Sequence, residues 1–174
     1  MQFFVYHYRI GEFGDIMEWK NSEFGEIGDQ LVLPLFEGVE KPPNNSLSGL
    51  NRSQRTLVRE AIASDDFEGK KGQRMAVWNP DCRVLLVGMG EKGEFGHGKA
   101  RNIGARVMGA LSKKKGLSVT VRFTSGWSSE RMVDFAEGMM LRDYEFLEHQ
   151  KVDDEHIAEP WSVVFQASAR HQEA

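Results

Sequence analysis

The chain contains 174 residues, a length typical of one domain with a sizeable hydrophobic core. Hydrophobic residues make up 40 % of it and charged residues 28 %, which excludes a disordered chain, and no apolar run approaches the roughly 18 residues of a membrane span. The net charge of −4 gives no overall attraction for nucleic acid or for an anionic membrane. The single cysteine, Cys82, excludes a disulfide framework, and no secretory signal opens the chain, so we expect a soluble cytoplasmic protein.

The first elements of the chain are predicted to be two strands. Aromatic and β-branched residues at 3–8 are typical of a strand, and the glycine-rich stretch 11–28 that follows is interpreted as a connection. The apolar run "LVLPLF", residues 31–36, predicts a second strand that is buried in the sheet.

A helix and two further strands are predicted next. Apolar residues return at helical spacing over 46–64, and Ser46 or Ser48 is expected to cap the amino terminus of this helix. Alternating residues at 75–77 predict a strand, and the continuous apolar run 84–87 predicts another, at the centre of the sheet with both faces covered.

The second half of the chain alternates helices with strands. Apolar periodicity predicts a helix over 99–115 and a third helix marked by Met132, Phe135, Ala136, Met139 and Met140. Residues 117–123 alternate cleanly, so we expect a strand near an edge with Ser118, Thr120 and Arg122 on its wetter face. A last strand is predicted at 161–165. This order predicts an α/β fold, a three-layer αβα sandwich around a mixed sheet.

The most suggestive local pattern is Gly88-x-Gly90-x-x-Gly93, which follows the apolar strand and has the spacing of a dinucleotide-binding turn. Such a turn needs a helix to begin directly behind the glycines, whereas helical periodicity starts only at about residue 99. Glu91 and Glu94 would also repel a pyrophosphate. The pattern therefore favours a strand end that opens into a turn, and Gly88, Gly90 and Lys92 remain a candidate ligand loop.

Four motifs occur in the order and spacing of a known domain. They are "QLVLPLFEG" (30–38), "DFEGKKGQ" (66–73), "RVLLVGMGEK" (83–92) and "AEGMMLRDYEF" (136–146). Together they resemble the N-terminal domain of the leucine aminopeptidase, or cytosol aminopeptidase, family over about residues 28–166. In that family's pattern the first motif is an apolar strand, the second a turn and the third a strand end. The last is a Gly-x-x-Leu-x-x-Tyr-x-Phe pattern, matched by Gly138, Leu141, Tyr144 and Phe146.

The resemblance implies a macro-domain-like fold and a domain without catalytic residues of its own. In the family, a separate C-terminal hydrolase domain holds two divalent metal ions, zinc or manganese, and its Asn-Thr-Asp-Ala-Glu-Gly-Arg segment does not occur here. We therefore expect a domain over 1–166 and a tail or linker start over 167–174. Its expected partners are a metalloprotease-type catalytic domain and the sister subunits of a homo-hexamer, which it would help to organise or regulate.

No catalytic or metal site of the chain's own is predicted from its sequence. Asp153, Asp154, Glu155 and His156 are adjacent rather than at helical ligand spacing, which is typical of a solvated loop. The remaining histidines that we considered are scattered, namely His7, His97, His149 and His171. The serines of "TSGWSS", namely Ser125, Ser128 and Ser129, are interpreted as turn and cap residues.

Two other functions stay open from the sequence. A macro-like domain that stands alone would bind a nucleotide such as ADP-ribose at the carboxyl ends of its strands. A nucleic-acid-binding regulator, which the net charge disfavours, would use the basic line of Lys99, Arg106 and Lys113. For protein partners the candidate surfaces are Trp127, Trp161 and the segment 4–8, although core packing is the simpler interpretation of each.

Overall fold

The computed structural model describes residues 6–10, 15–20, 25–43, 45–64, 66–79, 82–111, 118–124, 126–143 and 162–167. Within them the strands are β1 (Tyr6–Ile10), β2 (Asp15–Lys20), β3 (Gln30–Leu35), β4 (Arg74–Asn79), β5 (Cys82–Gly88), β6 (Ser118–Phe123) and β7 (Ser162–Ala167). The α-helices are α1 (Arg52–Ala63), α2 (His97–Leu111) and α3 (Ser129–Asp143), and a 3₁₀ turn spans Lys92–Glu94. None of the described helices has the length and apolar composition that crossing a membrane requires.

All seven described strands form one mixed sheet in the order β1-β2-β7-β6-β3-β5-β4. The five inner strands run parallel, and β1 and β4 pair antiparallel with β2 and β5 at the two edges. Helix α1 covers one face, where Leu31, Leu33 and Leu35 of β3 face it. Helices α2 and α3 cover the other face, toward which Val32 points. The expected three-layer α/β sandwich is confirmed.

The glycine-rich stretch 11–28 is not only a connection, because it contains β2. This strand pairs in parallel with β7 and antiparallel with β1, with Trp19 beside Phe165 in the register. Its sequence, "DIMEWK", follows Gly14 and does not alternate cleanly, so local pattern alone does not reveal it. Strand β2 therefore has two partners, β1 next to it in the chain and β7 at the other end of the chain.

The expectation that 117–123 lies near a sheet edge with one wet face is wrong. Strand β6 lies between β7 and β3, and both Thr120 and Arg122 are buried. Backbone of the segment 25–28 covers the polar face: the amide of Gly28 donates to Thr120 Oγ1 at 3.0 Å, and Arg122 Nη2 donates to the carbonyl of Gly25 at 2.7 Å. Polar residues that sequence reasoning assigns to water are satisfied here by protein backbone.

Helix α1 begins at Arg52, later than residue 46, and neither predicted serine caps it. The cap is Asn51, whose Oδ1 accepts from the Gln54 amide at 2.9 Å, while Gln54 Oε1 accepts from the Asn51 amide at 2.8 Å. This reciprocal capping box satisfies two of the free N–H groups at the helix start. Residues 45–49 instead form a turn beside Arg122.

Helices α2 and α3 pack closely because glycines lie at their contact. A Cβ on Gly104 would lie 2.0 Å from the carbonyl oxygen of Phe135, and a Cβ on Gly138 would lie 1.9 Å from that of Arg101. Neither position has room for a side chain. Gly138, the first residue of the closing family-like motif, therefore sets the distance between the two helices.

Candidate functional site

The carboxyl ends of the inner strands are the first place to look for a site, because open α/β sheets bind ligands there, where the strand order reverses. In this sheet the reversal falls at β3, since β5 lies on one side of it and β6 on the other. The loops that meet there follow β3 (36–38), β5 (89–91) and β6 (124–128). The candidate loop of Gly88, Gly90 and Lys92 is at this edge.

Gly88 is a glycine because protein backbone packs against it. A Cβ at this position would lie 2.0 Å from the carbonyl oxygen of Lys70. The Gly88 amide donates to the carbonyl of Gln73 at 2.7 Å, and its carbonyl accepts from the amide of Gly72 at 2.9 Å. The segment "FEGKKGQ", residues 67–73, thus packs directly against the glycine turn.

Gly90 has the same role one step further along the loop. Its φ of +77° is a conformation that favours glycine, and a Cβ would lie 3.0 Å from the Cβ of Lys71. Its amide donates to Gly69 at 2.9 Å, and its carbonyl accepts from the amide of Glu37 at 3.0 Å. The amides of Gly88 and Gly90 are thus bonded within the protein and are not free to donate to a phosphate.

Lys92 and Gly93 complete the glycine pattern without forming a phosphate cradle. The side chain of Lys92 reaches across to the loop after β6, where its Cε and Nζ lie 2.8 and 3.0 Å from the position of a Cβ on Gly126. Gly93 faces open space, with no atom within 4 Å of the position that a Cβ would take. Helix α2 begins only at His97, so its amino terminus is not directly behind the glycines.

Three aromatic side chains fill the crevice between the strand ends. Phe36, Phe95 and Trp127 follow β3, β5 and β6, and their ring centroids are 5.0 to 6.1 Å apart. Phe95 and Trp127 are buried, and Trp127 also contacts Phe123 at 4.6 Å. Trp127 is therefore a core residue, as the simpler interpretation held, and not a surface for partners.

Charges around this edge are mixed rather than cationic. Lys70 Nζ lies 2.6 Å from Glu68 Oε2, and the pKa of Lys70 is raised by this hydrogen bond, by the charge of Glu68 and by that of Glu37. Lys99 pairs with Glu94 at 3.0 Å. A phosphate brought to this edge would meet exposed carboxylates among the lysines, which weakens the case for an anion site.

The face of the sheet that α1 covers contains the most unusual buried group, Arg122 of β6. Its Nε donates to Gln166 at 2.7 Å, and its Nη1 donates to the carbonyls of Ser46 and Ser48 at 3.1 and 2.6 Å. Burial lowers the pKa of Arg122 to about 10, while the neighbouring Cys82 thiol acts in the opposite direction. With its bond to the carbonyl of Gly25, Arg122 ties three chain segments together.

A groove of about 780 Å³ borders the segment 25–28 and Gly49. It is lined by Gly25, Glu26, Ile27, Gly28, Gly49, Asn51, Gln54 and Cys82. Asn51 and Gln54 are bonded to each other in the helix cap, and the Cys82 thiol is buried. Glu26 and Cys82 are the ionisable side chains of this lining, and the described residues provide no group of three metal ligands there, so the groove does not form a metal centre.

A metal site is not found among those candidate residues that the structure describes. In the part of the chain that the structure describes, no group of three or more His, Cys, Asp or Glu side chains is placed to hold a metal ion. The run 153–156, with His149 and His171, lies outside the described residues, as do Ser125, Lys113 and Trp161. For His7 only the backbone, in β1, is described, and the segment 4–8 is described only from Tyr6 onward.

Polar partners are described for three of the sequence candidates, His97, Ser128 and Lys99. His97 Nδ1 lies 2.5 Å from Asp134 Oδ2 of α3, and Arg101 contacts the same carboxylate at 3.3 Å, which links α2 to α3 at the surface. Ser128 accepts from the amide of Arg131 at 3.4 Å, which agrees with a cap residue. Of the basic line, Lys99 is engaged by the carboxylate of Glu94.

Comparison with known proteins supports the family resemblance seen in the sequence motifs. The sequence profile of the cytosol aminopeptidase family, N-terminal domain, matches residues 32–151. A probable cytosol aminopeptidase of Alkaliphilus oremlandii is 23 % identical over 135 residues, 73 % of this chain and 27 % of that protein. This chain thus spans about a quarter of the length of that relative.

Two solved structures share the fold. A mutant tomato leucine aminopeptidase superposes with a TM-score of 0.62 at 21 % identity, over 85 % of this chain and 32 % of that one. An Oceanobacillus iheyensis macrodomain, solved with ADP, superposes with a TM-score of 0.60 at 11 % identity, over 98 % and 92 % of the two chains. The macro-domain-like architecture is confirmed at the level of fold. Because the family profile matches more than half of the chain, this protein belongs to the cytosol aminopeptidase family, of which it represents the N-terminal domain.

Proposed function

We propose that this chain is a non-catalytic domain of a cytoplasmic metal-dependent aminopeptidase, a hydrolase that releases residues such as leucine from the amino termini of peptides. The main support for this proposal is the match to the family's N-terminal domain over residues 32–151. The chain covers only 27 % of its relative from Alkaliphilus oremlandii. The described residues do not fit the two divalent metal ions of such an enzyme, since they provide no cluster of three ligands. The metal-binding residues would then belong to a separate catalytic domain.

The role of the domain in such an enzyme would be to organise or regulate the assembly. The packing at the strand ends, where the protein's own aromatic side chains and close backbone contacts at glycines meet, disfavours the competing ligand-binding role. Its partners would be the catalytic domain and the sister subunits of a homo-hexamer. The division into a domain at 1–166 and a linker start at 167–174 remains a prediction.

The experiment that tests this proposal measures the intact mass of the endogenous protein captured from its own cells. A species several times heavier than this chain supports a multidomain aminopeptidase, and a species with the mass of 174 residues contradicts it. In parallel, the purified chain is assayed for hydrolysis of a leucine anilide with added manganese or zinc. We expect no rate above that of buffer, and metal-dependent turnover would show that the chain has a catalytic site of its own.

Nucleotide binding is the second candidate, and its one supporting observation is the fold shared with the macrodomain solved with ADP. The side chains oppose it, because the Gly88 and Gly90 amides are bonded to residues 73 and 69 and aromatic rings occupy the crevice. We expect no thermal shift of this chain with ADP-ribose or NAD. A shift that Gly90→Val weakens would favour the nucleotide-binding function instead. A nucleic-acid-binding role has even less support, since Lys99 of the proposed basic line is already paired.

A further inference from the structure

We draw no further inference here: the strongest candidate, the exposed outer face of α3 on which Val133 and Leu141 are 51 % and 67 % accessible, carries nothing because nothing in the structure shows what covers it.

Discussion

Replacing Gly88 by alanine tests whether the glycine pattern serves packing or a ligand. The new Cβ would lie 2.0 Å from the carbonyl oxygen of Lys70, so that oxygen must retreat by about 1 Å before the two atoms cease to overlap. The oxygen belongs to backbone, and it cannot swing aside as the end of a flexible side chain would. The segment 67–73 must therefore move away from β5 as a unit.

The cost of that movement follows from the contacts that join the two segments. Three backbone hydrogen bonds are at risk: Gly72 to Gly88, Gly88 to Gln73, and Gly90 to Gly69, with lengths of 2.7 to 2.9 Å. At about 1 kcal/mol for each bond, Gly88→Ala should lower the free energy of unfolding by about 3 kcal/mol. That is a large fraction of the roughly 5–15 kcal/mol that stabilises a typical domain.

Urea unfolding followed by circular dichroism measures this effect, and Gly93→Ala is the matched control. With an m-value of about 2 kcal/mol/M, Gly88→Ala should lower the midpoint by roughly 1.5 M. Gly93 has open space where its Cβ would be, so its alanine variant should match the wild type or gain up to about 1 kcal/mol. If the two variants unfold at the same urea concentration, the packing argument is wrong.

Three further predictions concern positions away from this loop. Arg122→Met should lower the free energy of unfolding by about 2–4 kcal/mol, because the buried carbonyl groups that the guanidinium now binds lose their donors; urea midpoints equal to those of the wild type would contradict this. Gly138→Ala should separate α2 from α3, which lowers the free energy of unfolding by about 2 kcal/mol and the Tm by roughly 4–8 °C. Gly98→Ala is the control, because its Cβ would meet no atom within 4 Å, and its Tm should stay at the wild-type value. Hydrogen bonds from the Ser118 amide and hydroxyl lower the pKa of Asp29 in the folded protein. The Asp29 carboxylate therefore stabilises the fold above the unfolded pKa near 3.8, and this stabilisation is lost as the pH falls through the lower folded pKa. The stability difference between wild type and Asp29→Asn should hold steady from pH 5 to 8 and close below about pH 4 in pH-dependent urea titrations; a constant difference down to pH 2 would refute the assignment.

Elements with strong local patterns can be predicted from the sequence, and those formed by distant contacts cannot. The apolar runs of β3 and β5 and the periodic faces of α2 and α3 place these elements correctly. Strand β2 is not predicted, because its parallel partner, β7, lies at the other end of the chain and a local sequence pattern cannot show that the two strands pair. The predicted start of α1 is wrong for a local reason: Asn51 is followed three residues later by Gln54, the spacing of a capping box, and neither Ser46 nor Ser48 has Glu or Gln at that spacing.

The candidate site shows the same limit. The late helix start in the sequence disfavours a dinucleotide site at Gly88 and Gly90, and the structure begins α2 at His97 in agreement. What the glycines contact cannot be found this way, since the segment 67–73 lies before β5 in the chain and returns to it only in the fold. The strand pattern assigns Arg122 to solvent, because alternation marks which residues share a face without showing what covers that face.

The strand order also constrains when this domain can finish folding during synthesis. Strand β2 pairs with β7, and β7 is the last described strand of the chain. A nascent chain that has not yet released 162–167 from the ribosome leaves the β1–β2 hairpin without its neighbour, and an isolated hairpin is marginally stable in water. The β1–β2 side of the sheet can therefore form only after β7 has been synthesised. A recombinant chain that ends before residue 162 would lack β7, and β1 and β2 would then have no strand that joins them to the rest of the sheet.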